Sequence, residues 1–190
     1  MAAAVLLQGC IPAQFSGYMP VGPGRLESDH CTTIEDILTF TVPGGVEMTA
    51  WVPKNTTPAD LRLWMTVPAG AVVRLRSTLL VLESPDWSEP QTLRTVGIRL
   101  PGKSEDLPPS AELRGERQIS YTAWGSVSSV AEGSRFWMRL DRAAAPSAGT
   151  VRAGSFTLRF PELEINGEIH PVKPLLFKAY RKVGVAGFCN

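Results

Sequence analysis

The residue types best suited to chemistry cluster around an Asn-Gly pair at positions 166 and 167. The cluster consists of Glu162, Glu164, Glu168 and His170. Burial favours a three-residue loop over residues 165–167, which pairs Leu163 with Ile169 and gathers the four polar side chains on one face, whereas a two-residue turn would mix the faces. Such a face can bind a divalent cation or exchange protons as general acid and base. The alternative, which we favour, is a solvated hairpin face, because an open hairpin supplies few backbone carbonyls to a hard cation.

Residues 135–140 alternate between two kinds of side chain. On an extended strand Phe136, Met138 and Leu140 face one side, and Arg135, Trp137 and Arg139 face the other. An arginine that stacks on an indole ring gains about 0.5–2 kcal/mol, depending on desolvation, and Trp and Arg are enriched at interface hot spots. We therefore predict Arg135, Trp137 and Arg139 as a candidate binding face. The alternative is a tryptophan packed under neighbouring strands and covered by arginine stems.

Two further tryptophans lie in turn-like sequence. Trp87 is surrounded by Ser, Pro and Asp, and Trp124 precedes Gly125. A loop tryptophan beside carboxylates can stack on a sugar ring while the carboxylates bind its hydroxyl groups. More often such a tryptophan folds back over the core. Glycan binding is therefore an alternative function.

Sequence signatures of catalysis are missing. The chain has no Gly-x-Ser-x-Gly elbow, no Ser-x-x-Lys, no His-Glu-x-x-His and no glycine-rich phosphate loop. His30 adjoins Cys31, where a thiol–imidazole pair would form only if the cysteine were not in a disulfide. We predict a non-catalytic protein without a cofactor or metal. A carboxylate-based hydrolase at the glutamate cluster is the less favoured alternative.

The first ten residues resemble part of a known family. Residues 6–10, Leu-Leu-Gln-Gly-Cys, resemble the lipobox of bacterial lipoproteins. The resemblance implies that residues 1–9 are a signal-peptide remnant, that Cys10 carries a diacylglycerol, and that the protein lies on the periplasmic side of a bacterial envelope. Ile11 stands where an aspartate would retain a lipoprotein in the inner membrane, which implies the outer membrane. The alternative is an apolar N-terminal strand that ends in Gly-Cys.

The segment after Cys10 is rich in helix and sheet breakers. Residues 11–25 contain three prolines and three glycines, with no charge before Arg25, and such a segment rarely forms a helix or pairs inside a sheet. We predict a lipid anchor and tether over residues 10–30 and a β-sandwich domain over residues 31–190. With Cys10 lipidated, Cys31 and Cys189 can form a disulfide that ties both ends of the domain together. The alternative is two unrelated buried thiols.

Most of the remaining chain has the period-two alternation of β-strands. The segments are 38–42, 46–52, 61–67, 73–82, 96–100, 119–124, 135–140, 151–160 and 175–180. Each is short and closed by turn residues, and a single helical turn is expected at residues 57–60. The pattern predicts an all-β fold, an antiparallel β-sandwich of about nine or ten strands with a barrel as the alternative.

Composition excludes several classes of protein. The 19 basic and 18 acidic residues leave a net charge of +1 and form no long blocks, whereas a nucleic-acid-binding protein normally has a basic stripe. The 44% hydrophobic content is enough for a folded core. No apolar run reaches the roughly 18 residues of a membrane-spanning helix.

Together these features predict a lipid-anchored envelope protein that acts by binding another protein. The partner is expected to be a secreted toxin, inhibited by this protein as an immunity protein, or a component of an envelope machine. The contact is expected at Arg135, Trp137 and Arg139 or in the polar loop of residues 101–117. A glycan-binding module is the alternative.

Overall fold

The computed structural model describes residues 11–28, 34–121, 127–142 and 153–186. Every strand pairing within these ranges is antiparallel, which confirms the predicted all-β class. Two single 3-10 turns, Pro43–Gly45 and Pro58–Asp60, are the helical elements of the described ranges. No helix in these ranges is long and apolar enough to cross a membrane.

The described residues form fifteen strands. They are β1 (Ile11–Val21), β2 (Arg25–Ser28), β3 (Glu35–Thr41), β4 (Glu47–Trp51), β5 (Arg62–Pro68), β6 (Val72–Leu75), β7 (Leu79–Glu83), β8 (Gln91–Arg99), β9 (Leu113–Arg114), β10 (Arg117–Tyr121), β11 (Val127–Arg142), β12 (Ser155–Arg159), β13 (Leu163–Ile165), β14 (Glu168–His170) and β15 (Leu175–Ala186). The predicted helical turn is confirmed at Pro58–Asp60, where Thr57 and Asp60 form a capping box.

The strands form one large curled sheet and one small sheet. The large sheet has the order β1-β15-β12-β7-β8-β11-β5-β4-β3-β2, with β10 paired to β11, and the small sheet has the order β14-β13-β6-β9. The curl brings β1 back against β3 and β4. The architecture therefore combines features of a sandwich and of a partly closed barrel.

The core lies on the concave side of the large sheet. Alternate residues of β3, β4 and β5 are buried, as the sequence pattern predicts. Phe156 and Phe177 stack at its centre with ring centroids 4.7 Å apart. The fully buried side chains include Leu38, Met48, Leu63, Met65, Leu80, Leu82, Leu93, Ile98 and Leu158.

The prediction of an unpaired tether after Cys10 is wrong for residues 11–21. They form β1, which pairs with β15 along its whole length, and Tyr18 is buried in the core. β1 tolerates Pro12 and Pro20 because it has one paired neighbour. The Ser16 N–H points away from β15, toward Asn55. Pro12 and Pro20 lie an even number of residues from Ser16, so their nitrogens face the same side of β1. The N–H groups that prolines lack would therefore not have bonded to β15.

The predicted three-residue loop at the Asn-Gly pair is also wrong. The hairpin has a two-residue turn that pairs Ile165 with Glu168 and Leu163 with His170. Asn166 and Gly167 both have positive φ, 53° and 86°, which a type I′ turn requires. The Asn166 side chain accepts a hydrogen bond from the Val72 N–H at 2.9 Å, which holds the turn against β6. Turn geometry decides the register here, and Ile169 remains 53% exposed.

Asn55 connects the edge strand β1 to the opposite end of the curled sheet. Asn55, with φ of 60°, donates its N–H to the Ser16 carbonyl at 2.7 Å and accepts the Ser16 N–H on its side chain at 3.1 Å. The Ser16 hydroxyl donates to the same Oδ1 at 3.2 Å. We call this junction of β1 with β3, β4 and residues 53–56 the seam.

Replacing Asn55 with alanine is expected to weaken the seam. The variant loses both hydrogen bonds to the Asn55 side chain and puts alanine, which tolerates positive φ less well than asparagine, at a φ of 60°, for a loss of about 2–3 kcal/mol in the free energy of unfolding. Urea denaturation measures it. Asn55→Gly keeps the backbone conformation and should lose about half as much. Equal stability of Asn55→Ala and the wild type would contradict this account.

Candidate functional site

Three tryptophans from neighbouring strands meet on the outer face of the large sheet. Trp64 on β5 pairs directly with Trp137 on β11, and Trp51 on β4 lies beside both. The ring centroids are 5.0 Å apart for Trp51 and Trp64, 5.4 Å for Trp64 and Trp137, and 6.1 Å for Trp51 and Trp137. All three side chains are partly exposed. Alternation places them outside because their neighbours Ala50, Leu63 and Met138 point into the core.

Two arginines cover these rings. The Arg135 guanidinium lies 4.8 Å from the centroid of Trp64, and that of Arg62 lies 5.6 Å from the centroid of Trp137. Neither arginine forms an ion pair with a carboxylate among the described residues. A guanidinium that lies over an indole ring can keep N–H donors for a further partner. We call Trp51, Arg62, Trp64, Arg135 and Trp137 the Trp–Arg face.

The sequence prediction included two residues of this face and missed three. Arg135 and Trp137 share the outer side of β11, as the alternation predicts, but each stacks with a residue of β5 rather than with the other. Arg62 and Trp64 also alternate with buried leucine and methionine in the sequence. That pattern makes them outward-facing, and the pairing of β5 with β11 makes them part of the site.

Arg139, the third predicted residue, is engaged in a different contact. Asp106, from the loop after β8, accepts hydrogen bonds from Arg139 and, at 2.7 Å, from Nε of Arg99. A β-carbon on Gly97 would lie 2.8 Å from the Asp106 carboxylate, so glycine permits this approach. Backbone bonds between Ile98 and Leu107 fix the same loop to β8. We call Arg99, Asp106 and Arg139 the arginine clamp.

The clamp lowers the pKa of Asp106. The hydrogen bond from Arg99 is the largest cause, and the hydrogen bond and positive charge of Arg139 add to it, against partial desolvation that raises the pKa. A depressed pKa means that the folded state favours the carboxylate, so the clamp stabilises the protein above the ordinary aspartate pKa. This contribution is lost as the pH falls through the lowered pKa of the folded protein.

Replacing Asp106 with asparagine should therefore lower stability in a pH-dependent way. The difference in unfolding free energy between wild type and Asp106→Asn should be full at neutral pH and shrink as the pH falls below the ordinary aspartate pKa of 3.8. Urea titrations across the acid range measure it. Glu105→Gln, which alters the exposed neighbouring carboxylate, is the control. A difference that stays constant down to the acid limit would show that the Asp106 charge is not involved.

A cavity borders the Trp–Arg face. It has a volume of about 260 Å³ and lies between Arg62, Trp137, Arg139 and the turn at residues 59–61. Asp60, the carboxylate among the lining residues, accepts hydrogen bonds from Thr57, and the lining residue Arg139 is held by Asp106 in the clamp. The Trp64 Nε1–H is buried and has no hydrogen-bond partner among the described residues. An orphaned donor of this kind typically costs about 1–3 kcal/mol.

The structure separates the glutamate–histidine cluster. With the two-residue turn, Glu168 and His170 share a face with Leu163, while Glu164 lies on the opposite face. Glu164 faces Arg74 and Arg76, with N–O distances of 3.5 and 3.3 Å. Among the described residues no group of three or more His, Cys, Asp or Glu side chains can hold a metal ion. The prediction that these polar side chains share one face is therefore wrong, since Glu164 lies on the opposite face from Glu168 and His170.

The remaining predicted residues divide into two groups. Trp87 stacks on Phe156, with ring centroids 6.3 Å apart and an angle of 19° between planes, and packs against the core. Its ring is partly buried and covers part of the core. Cys10, His30, Cys31, Trp124 and Cys189 lie outside the described residues, so the lipid anchor at Cys10 and the Cys31–Cys189 disulfide stay predictions.

No family model matches the chain, and neither a curated protein nor a solved structure matches it significantly.

Proposed function

We propose that this protein acts by binding another protein, and that the Trp–Arg face binds an acidic segment of that partner. The observation that carries the proposal is the pair of arginines, Arg62 and Arg135, stacked on tryptophans without carboxylate partners among the described residues. Their guanidinium N–H groups are suited to bidentate contact with carboxylates. The tryptophans beneath supply the apolar area typical of an interface hot spot.

Covered indole faces favour a protein over a glycan as the ligand. A sugar ring stacks on an open indole face, but the rings of Trp64 and Trp137 are each covered by a guanidinium. Trp87, the loop tryptophan that could have stacked on a sugar ring, packs on the core. We therefore propose a protein as the ligand, and the bordering cavity as the place for one partner side chain.

The lipobox resemblance supports a location for this role. If Cys10 is lipidated, the domain lies at the periplasmic side of the outer membrane, where the partner is a secreted toxin or a component of an envelope machine. β1 begins at Ile11, so the lipid would hold the folded domain close to the bilayer without an intervening spacer.

Replacing Cys10 with serine tests the anchor. In a bacterial host the wild-type protein should fractionate with membranes and carry labelled palmitate, and Cys10→Ser should do neither, because a serine hydroxyl does not form the thioether to the lipid. Cell fractionation and metabolic labelling measure this. A wild-type protein that takes up no label would overturn the anchor and leave the binding face untouched.

A differential capture experiment tests the binding function. The full chain is immobilised as wild type, as Arg62→Glu/Arg135→Glu and as the control Lys173→Glu/Lys178→Glu, which makes the same change of charge at exposed sites away from the face. Quantitative mass spectrometry compares what each retains from envelope and secreted fractions at low and moderate salt.

The expected result is one acidic protein retained by wild type and control, of which the Arg62→Glu/Arg135→Glu variant retains at least about tenfold less. The same set of proteins on all three supports would overturn the proposal. Retention of polysaccharide instead of protein would favour the glycan alternative.

A further inference from the structure

A further cavity lies at the seam, away from the Trp–Arg face. Its volume is about 580 Å³, within the range of roughly 300–1,000 Å³ usual for small-molecule sites. β1 and β15 form one wall, and the turn after β4 and Ala153, two residues before β12, form the others. The lining residues are Gln14, Ser16, Gly17, Tyr18, Asn55, Thr56, Ala153, Ala179, Tyr180 and Arg181.

The lining is polar and carries a single charge. Arg181 is the one ionised side chain among the lining residues, and its contact is a long hydrogen bond of 3.4 Å to the side-chain oxygen of Gln14. Amides and hydroxyl groups supply most of the other polar atoms. A cavity of this composition disfavours both an apolar ligand and a cation.

Part of the lining is supported by a buried ion pair. Asp36 is 2% exposed and lies 3.2 Å from the Lys54 Nζ. The Tyr180 hydroxyl donates to the Asp36 carboxylate at 2.8 Å. Gly17 allows the Tyr180 ring to cross β1, since a β-carbon there would lie 2.8 Å from the Tyr180 hydroxyl. These contacts hold Tyr180 in one orientation and keep the Asp36 charge neutralised.

Asn55 offers a donor at the rim. Its Oδ1 is used by Ser16, while its Nδ2 group has no hydrogen-bond partner among the described residues. The Ser16 and Thr56 hydroxyl groups lie beside it and can accept further hydrogen bonds. Donors and acceptors of Asn55, Ser16 and Thr56 therefore line the cavity together with Arg181.

We propose that the seam cavity binds a small organic acid that carries hydroxyl or amide groups, of the size of an acidic monosaccharide. Arg181 binds the carboxylate, and Asn55, Ser16 and Thr56 bind the hydroxyl or amide groups. The site is independent of the protein-binding proposal, because the two share no residue.

Isothermal titration calorimetry with matched ligands tests this. The probes are D-glucuronate, N-acetylneuraminate and tartrate, with D-glucose as the neutral counterpart of glucuronate. The full chain is compared with Arg181→Gln, which removes the charge at an exposed position, and with Lys178→Gln, which removes a charge from the same strand outside the cavity.

At least one acid should bind the wild type and Lys178→Gln at least about tenfold more tightly than it binds Arg181→Gln, a difference of about 1.4 kcal/mol. If that acid is glucuronate, the wild type should bind glucose at least about tenfold more weakly than it binds glucuronate. The proposal is overturned if none of the acids binds at about 10 mM, which corresponds to a binding free energy weaker than about −2.7 kcal/mol. Equal affinity of the wild type and Arg181→Gln overturns it as well. Circular dichroism confirms that all three proteins are folded.

Discussion

Replacing Arg62 and Arg135 together with glutamate is expected to weaken binding of the acidic partner at least about hundredfold, or about 2.7 kcal/mol. Each arginine supplies charge-assisted hydrogen bonds, worth about 1.5–3 kcal/mol apiece. The glutamates also introduce repulsion against the partner's carboxylates. Surface plasmon resonance with the partner found by differential capture measures the change, and increasing salt should narrow the difference.

The loss should be one of affinity and not of folding. Both arginines are exposed, and an exposed cation–π contact is worth only about 0.5–1 kcal/mol. Arg62→Gln/Arg135→Gln, which removes charge without reversing it, should lose about half as much binding free energy. A melting temperature reduced by more than about 8 °C would show instead that the arginines support the sheet.

Trp137→Ala is a less clean probe of the same face. Trp137 packs against Trp64 and Trp51, with centroids 5.4 and 6.1 Å away. Its removal would therefore change stability as well as binding, since aromatic pairs contribute about 0.5–1.5 kcal/mol each beyond area burial.

Replacing Gly115 with alanine is expected to lower the free energy of unfolding by more than about 3 kcal/mol. Gly115 lies where the chain passes from β9 in the small sheet to β10 in the large one. It donates its N–H to the Ala71 carbonyl at 2.9 Å and accepts the Gly70 N–H at 3.0 Å. A β-carbon at position 115 would overlap the carbonyl oxygen of Pro68, and backbone cannot move aside as a flexible side chain can.

Gly102→Ala is the matched control for this prediction. Gly102 has a φ of 77° but nothing lies within 4 Å of its β-carbon position. Alanine there incurs only the left-handed backbone cost of about 1–2 kcal/mol. Chemical denaturation distinguishes the two variants, and equal losses would show that position 115 has room for a side chain.

Period-two alternation was enough to predict the class of fold and several strands. Where one face of a strand packs on the core, as in β3, β4 and β5, the buried residues follow from the sequence alone. The alternation does not reveal where a strand leaves one sheet for another. The predicted segment 73–82 is two strands, β6 in the small sheet and β7 in the large one.

Two predictions, the tether over residues 11–21 and the three-residue loop at residues 165–167, were wrong for local reasons. β1 contains prolines, which usually mark a break, but their shared parity places every missing donor on the unpaired side of an edge strand. At the Asn-Gly turn, burial of Ile169 was given more weight than turn geometry, although the positive φ of both turn residues determines the register.

Two of the five residues of the Trp–Arg face were predicted from the sequence, and the other three depend on strand order. Alternation places Trp64 and Arg62 outside, but β5 and β11 are far apart in sequence and pair only in the folded sheet. Asp106 likewise lies in a polar loop whose contact with Arg99 and Arg139 follows from the fold and not from spacing. Long-range pairing is the part of a site that single-sequence patterns do not contain.

The pairing of β1 with β15 also governs how the chain folds as it is synthesised. The first and last described strands are neighbours, so the sheet is incomplete until residues near 186 have emerged. The β3–β4–β5 meander can form early, whereas closing β1 onto β15 carries the entropy of a loop spanning nearly the whole domain. All-β proteins dominated by such distant contacts fold in about milliseconds to seconds. A chain that stalls before β15 emerges would expose the core side of β1 and depend on chaperones.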